Sequence, residues 1–74
     1  MRRYAIVIEK AEDGSFSAYV PDLPGCVAVG QSSPEAARRL IHEAIDIHIA
    51  GLIEDGLPVP EPTSRAEYVE VSVS

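Results

Sequence analysis

The side chains of this sequence with the greatest capacity for chemistry are Cys26, His42, His48 and a scatter of carboxylates, and their spacing assigns them little of it. His42 and His48 are six residues apart. On a helix that is about 240° of rotation, so one chain cannot close both rings on a single metal. His48 falls on an apolar face, where it is either a core or interface histidine with one ring nitrogen bonded, or a ligand or base. Cys26 is the one cysteine, which excludes an internal disulfide and a cysteine-based zinc site within one chain. It could act as a nucleophile beside a histidine, or pack as a small hydrophobe that closes a turn. Metal-dependent hydrolysis needs several carboxylates converging on divalent cations. Glu9 lies at the end of an alternating stretch, while Glu35 and Asp46 are about three helical turns apart, with Glu35 placed to cap. No enzyme activity, metal or cofactor is expected, and binding is the function class that remains.

The elements that must position a binding surface follow from periodicity. Residues 3–9 alternate, with Tyr4, Ile6 and Ile8 on one face and Arg3, Ala5, Val7 and Glu9 on the other, the pattern of a strand. Asp13-Gly14 is a hairpin signal, and Phe16, Ala18 and Val20 then alternate with Ser17 and Tyr19, so residues 16–20 return antiparallel. Pro21, Pro24 and Gly25 make the next segment a stiff connection, with Pro24-Gly25 suited to a type II turn. Residues 26–29 predict a short third strand ending at Gly30.

Ser32 with Glu35 forms a capping box, or Ser33 caps instead because residues before proline resist the helical region. Pro34 fits the first turn. The spacing predicts a helix over 33–55, with Ala37, Leu40, Ile41, Ala44, Ile45, His48 and Leu52 facing the sheet. Ile47, Ile49 and Ile53 widen the apolar arc beyond what one sheet covers, and are read as a contact between subunits. Residues 57–64 carry three prolines at alternate positions and predict an extended linker. Val69, Val71 and Val73 then oppose Tyr68, Glu70 and Ser72, which predicts a fourth strand over 67–73. The expected architecture is one α+β domain over 1–74, a two-layer β-β-β-α-β meander with one helix on one face.

A chain of 74 residues buries only about 60% of its unfolded surface, which favours self-association. A formal charge of −6 argues against direct nucleic-acid binding and for a basic partner. No apolar run is long enough to span a membrane, and Met1-Arg2-Arg3 leads into a strand pattern rather than a signal peptide. With one cysteine, a cytoplasmic location is expected.

YAIVIEKAEDGSFSAYVPDLPGC, followed by Gly30, a Ser-x-x-Glu-Ala helix start, Glu54-Asp55-Gly56 and Pro58-x-Pro60-x-Pro62, resembles the HicB-like antitoxin family along essentially the whole chain. The resemblance implies a truncated ribonuclease-H-like fold, assembly into dimers or tetramers, and a protein partner: a small basic mRNA-cleaving HicA toxin that the antitoxin occludes. Ribonuclease-H-type catalysis places a carboxylate in the middle of the first strand, where this chain has Ala5, Ile6 and Val7. Family members with a DNA-binding region carry it after the last strand. This sequence stops at Ser74, so operator binding is not carried over. A regulatory or structural protein-binding module without a toxin is the alternative.

Contact with the partner is expected from Asp22, Leu23, Tyr19, Glu12 and Asp13. Asp22 either pairs with a basic residue or accepts backbone N–H bonds in its own turn. Leu23 either projects as an apolar anchor or folds into the core. Tyr19 is either a contact aromatic or a filler of the sheet face.

Overall fold

The computed structural model describes residues 2–73, so Met1 and Ser74, the limits of the expected domain, lie outside the described residues. Three antiparallel strands, β1 (Val7–Lys10), β2 (Phe16–Tyr19) and β3 (Val27–Gln31), pair in the order β1-β2-β3, and one helix, α1 (Pro34–Glu54), packs across one face. The α+β two-layer arrangement follows from alternation, because each strand has one apolar row to bury and a single helix can cover only one side. Val7, Ile8, Glu9 and Lys10 oppose Tyr19, Ala18, Ser17 and Phe16. β3 meets β2 through Tyr19 with Val27, Ala18 with Ala28, and Phe16 with Gln31. The last two pairs are separated by two residues on β2 and three on β3, so β3 carries a bulge there.

The segment between β2 and β3 is two successive turns. The Leu23 N–H donates to the Val20 carbonyl at 3.1 Å, and the Cys26 N–H to the Leu23 carbonyl at 3.1 Å. The second is the type II turn that Pro24-Gly25 encodes, with Gly25 at φ +84°, a conformation that costs a side chain roughly 1–2 kcal/mol. The Val20 N–H closes the loop on the Cys26 carbonyl at 3.3 Å. The two turns direct Leu23 inward, where it is 0% exposed, and the core is completed by Ala18, Val20, Cys26 and Ala28 from the sheet side and Ala37 and Ile41 from α1. Burying a leucine or isoleucine of this kind contributes about 1.5–3 kcal/mol.

Ser33, not Ser32, caps α1: its Oγ accepts from the Ala36 N–H at 3.1 Å, and Pro34 takes the first helical position. The steric demand of Pro34 on its predecessor decides between the two serines, since Ser33 is held extended at φ −152°, ψ 160°. At the other end the Leu57 N–H reaches the Leu52 carbonyl at 2.9 Å and the Gly56 N–H the Ile53 carbonyl at 3.1 Å, a Schellman closure that uses Gly56 at φ +69°.

Two expectations are corrected here. The sheet-facing stripe of α1 is Ala37, Ile41, Ala44, Ile45 and Ile49, whereas Leu40 turns outward. Ile49 therefore packs against the protein's own core and is only partly available to another subunit, while Ile47 and Ile53 remain 73% and 65% exposed. Isoleucines surround much of this helix, so its 3.6-residue period fixes a face only to within one flank. The second correction concerns residues 67–73, which form no strand: Val69, Val71 and Val73 are each at least 75% exposed and Tyr68 wholly so. Alternation makes this segment fit to join a sheet, but strand structure requires an edge to pair with, and the arm stands clear of its own.

Candidate functional site

Two surfaces are built by this fold. The first is the sheet face opposite α1. In the three-strand register Val7, Tyr19 and Val27 form one cross-strand row, with Val29 beyond it on β3. Tyr19 is 41% exposed, Val27 55% and Val29 68%, so a band of apolar side chains faces outward. Tyr19 lies centrally, since β2 is the middle strand. Sequence reasoning found Tyr19 but missed Val27 and Val29. The run Cys26–Val29 is apolar at every position, so it carries no alternation from which a face can be read, and only the pairing with β2 turns Ala28 inward and its neighbours outward.

The rim of this face is the β1–β2 hairpin, which presents Glu12 and Asp13 in an exposed loop. The Ala11 N–H donates to the Ser15 carbonyl at 2.8 Å, and the Gly14 N–H to the Ala11 carbonyl at 3.0 Å. Asp13 shares its charge with the turn: Oδ1 accepts from the Ser15 hydroxyl at 2.6 Å and the Ser15 N–H at 2.9 Å. The hydroxyl first and then the N–H hold this carboxyl below the usual aspartate range. Glu12 makes no such bond among those described and is the freer acid.

The second surface surrounds the clasp of the C-terminal segment. Asp22 neither caps its own turn nor stands free. Its Oδ2 accepts from the N–H groups of Thr63 (3.0 Å) and Ser64 (2.8 Å), and its Oδ1 from their hydroxyls (3.0 and 2.8 Å). The Ser64 N–H is the largest cause and outweighs partial desolvation, so the carboxyl is held below the ordinary value. Four donors leave little of this carboxylate for a partner's cation. On the far side Arg2 bridges to Glu61 at 3.1 Å and donates to the carbonyls of Val59 and Pro60, while the Tyr4 hydroxyl donates to the Pro60 carbonyl at 2.6 Å. These bonds join residues more than forty positions apart, and no local pattern announces them.

Of the residues expected to touch a partner, Tyr19, Glu12 and Asp13 share the sheet face and its rim, Asp22 is engaged with residues 63–64, and Leu23 is core. The expectation of Leu23 as an anchor is corrected by its burial. Cys26 is buried in the same cluster, and desolvation pushes its thiol pKa up, which makes it a poor nucleophile. His42 is exposed on α1 and His48 half-buried. Among the described residues no group of three or more histidines, cysteines and carboxylates is placed to hold a metal, and no helix is long and apolar enough to cross a membrane. The arrangement suits recognition of another protein by an apolar band with an acidic rim.

Comparison with known proteins bears on the same residues. A family profile described as "HicB_like antitoxin of bacterial toxin-antitoxin system" matches residues 4–72. The chain is 39% identical over 66 residues to an uncharacterized 14.9 kDa protein from the rep-hol intergenic region of Haemophilus phage HP1, a match covering 89% of this chain and 48% of the phage protein. It is 40% identical over 58 residues to a UPF0150 protein of Synechocystis, covering 78% and 72% of the two chains, and 38% identical over 69 residues to a UPF0150 protein of Thermoplasma acidophilum, covering 93% and 96%. The chain thus spans about half the length of the phage relative. No solved structure matches it significantly.

Proposed function

Because this chain belongs to the HicB-like antitoxin family of bacterial toxin-antitoxin systems, we propose that it binds and masks a small basic mRNA-cleaving toxin of the HicA type. The family match across residues 4–72 is the observation that carries this reading. The net charge of −6 and the acidic hairpin rim beside an apolar sheet face support a basic protein as the partner. Tyr19, Val27 and Val29 supply desolvated contact, Glu12 and Asp13 steer and orient the toxin, and occlusion needs no reaction from the antitoxin. The β-β-β-α order supports relating the domain to a truncated ribonuclease-H-like fold, and a cytoplasmic setting suits a partner that cuts mRNA. Exposed Ile47 and Ile53 on α1, with Ile49 at their flank, support a homo-oligomer.

The test pairs purified chain with the product of the neighbouring reading frame. Stoichiometric addition is expected to suppress RNA cleavage, and Tyr19→Ala is expected to weaken binding by about tenfold or more, the effect of truncating a central aromatic contact. Full cleavage in the presence of excess chain would reject the toxin reading. A protein-binding module with no toxin is the second reading, which the exposed apolar band of Tyr19, Val27 and Val29 supports equally well.

A further inference from the structure

Between α1 and residues 2–6, the stretch that leads into β1, lies a groove of about 660 Å³. Its floor is apolar, made by Tyr4, Ile6, Ile41, Ile45 and Ile49, and its rim is basic, with Arg2, Arg38, Arg39 and His42 against a single acid, Asp46. This concentrates three of the six Lys and Arg residues of an acidic chain at one apolar cleft. β1 has β2 on one side and no paired strand on the other among the described residues, so its edge there is a template for another strand.

The chain also carries a strand without a sheet. Residues 67–73 alternate Val69, Val71 and Val73 with Tyr68, Glu70 and Ser72, all exposed and without a strand partner. A body of this length packed as a sphere has a radius of gyration of about 11 Å. The observed value is 14.2 Å with a longest dimension of 51 Å, which an arm projecting from a small body explains.

We propose that the 67–73 arm of one copy lies in the groove between α1 and residues 2–6 of a second copy and continues along its open β1 edge as an added strand, while the second copy's arm returns the contact. Charge favours it: the arm brings Glu70 to a rim that holds Arg38 and Arg39, while Arg2 is already bonded to Glu61 and Glu67 lies 3.4 Å from Arg65, just before the arm. Length favours it as well. The wall of α1 from Arg38 to Ile49 rises about 16 Å, the reach of about five extended residues. The clasp favours a second copy over the arm's own groove. Asp22, Arg2 and Tyr4 pin residues 59–64 across the start of the first strand stretch, Ala66 still lies beside Arg3–Ala5, and from there the arm leaves the body instead of turning along it. A reciprocal exchange closes as a two-fold dimer and satisfies both edges at once.

The experiment uses the full chain. A chain carrying Val71→Cys is mixed with one carrying His42→Cys under oxidising conditions, with buried Cys26 left in place. A disulfide joining one chain of each kind, several-fold above either chain alone, is expected. Val69→Asp with Val71→Asp is expected to halve the mass seen by light scattering at micromolar concentration while leaving helical circular dichroism unchanged. Three outcomes overturn the proposal: a monomeric unsubstituted chain, an unchanged mass in the arm variant, or a chain carrying both cysteines that closes only within itself. An arm variant that keeps its mass while Ile47→Asp halves it would place association on α1 instead.

Discussion

The body and the arm of this protein are made of similar material and behave differently. The strand stretches at residues 4–9 and 16–20, like residues 67–73, have a period of two, yet the first two pack onto a core around Leu23 and Ile41 while the third stands in solvent. What separates them is punctuation. In the body every alternating stretch is followed by a turn that brings it back onto the previous one: the Asp13-Gly14 hairpin, the paired turns of residues 20–26, the Ser33 cap and the Gly56 closure. Before the arm comes a proline-spaced segment whose bonds to Arg2, Tyr4 and Asp22 hold it across the body and release the chain beyond. Apolar alternation prepares a strand, and only returning geometry gives it a partner.

The largest effect that would break this contrast lies in the body. Leu23→Ala removes a side chain with no exposed surface, enclosed by sheet and helix, and is expected to destabilise the fold by about 2–5 kcal/mol in denaturant unfolding followed by circular dichroism. A loss below about 1 kcal/mol would mean that Leu23 is loosely held, and would reopen its use as a contact for a partner.

How much of this could be read in advance divides along the same line. The strand alternation, the hairpin and the helix ends are local, each decided by residues within a few positions, and Pro24-Gly25 encoded its turn directly. The inward direction of Leu23 depends on two turns in series, which single-turn reasoning leaves open. The outward direction of Val27 and Val29 depends on register with β2. The role of Asp22 depends on donors 41 and 42 residues away and carries no sequence signal. The side of α1 that meets the sheet is not fixed by its own pattern, because isoleucines at 41, 45, 47, 49 and 53 spread the apolar arc well away from Leu40.

The clasp joins the two regions and gives an intermediate effect. Asp22 has its carboxyl held below the usual value in the folded chain, so its contribution is fully present above the unfolded value near 3.8 and is lost as pH falls through the lower, folded one. The amide proton resonances of Thr63 and Ser64 are therefore expected to titrate with a midpoint below 3.8, while the β2 amides stay fixed. Asp22→Ala should abolish that titration and speed proteolysis within residues 57–66 without unfolding the body. A midpoint at or above the ordinary value would show that the four bonds do not form in solution.

The smallest effect is the one that most sharpens the contrast. Tyr68 is an aromatic residue in an alternating segment, and in a folded strand its removal would cost the packing of a large ring. Here it touches none of its own body, so in a solution dilute enough to keep chains apart Tyr68→Ser should change unfolding stability by no more than about 0.5 kcal/mol. The same substitution at high concentration should matter only as far as chains associate, because an exposed side chain can contribute to stability only through something that arrives to cover it. A loss in dilute solution approaching that of Leu23→Ala would mean that the arm returns to its own groove, and the difference between body and arm would then be one of timing in folding rather than of partner.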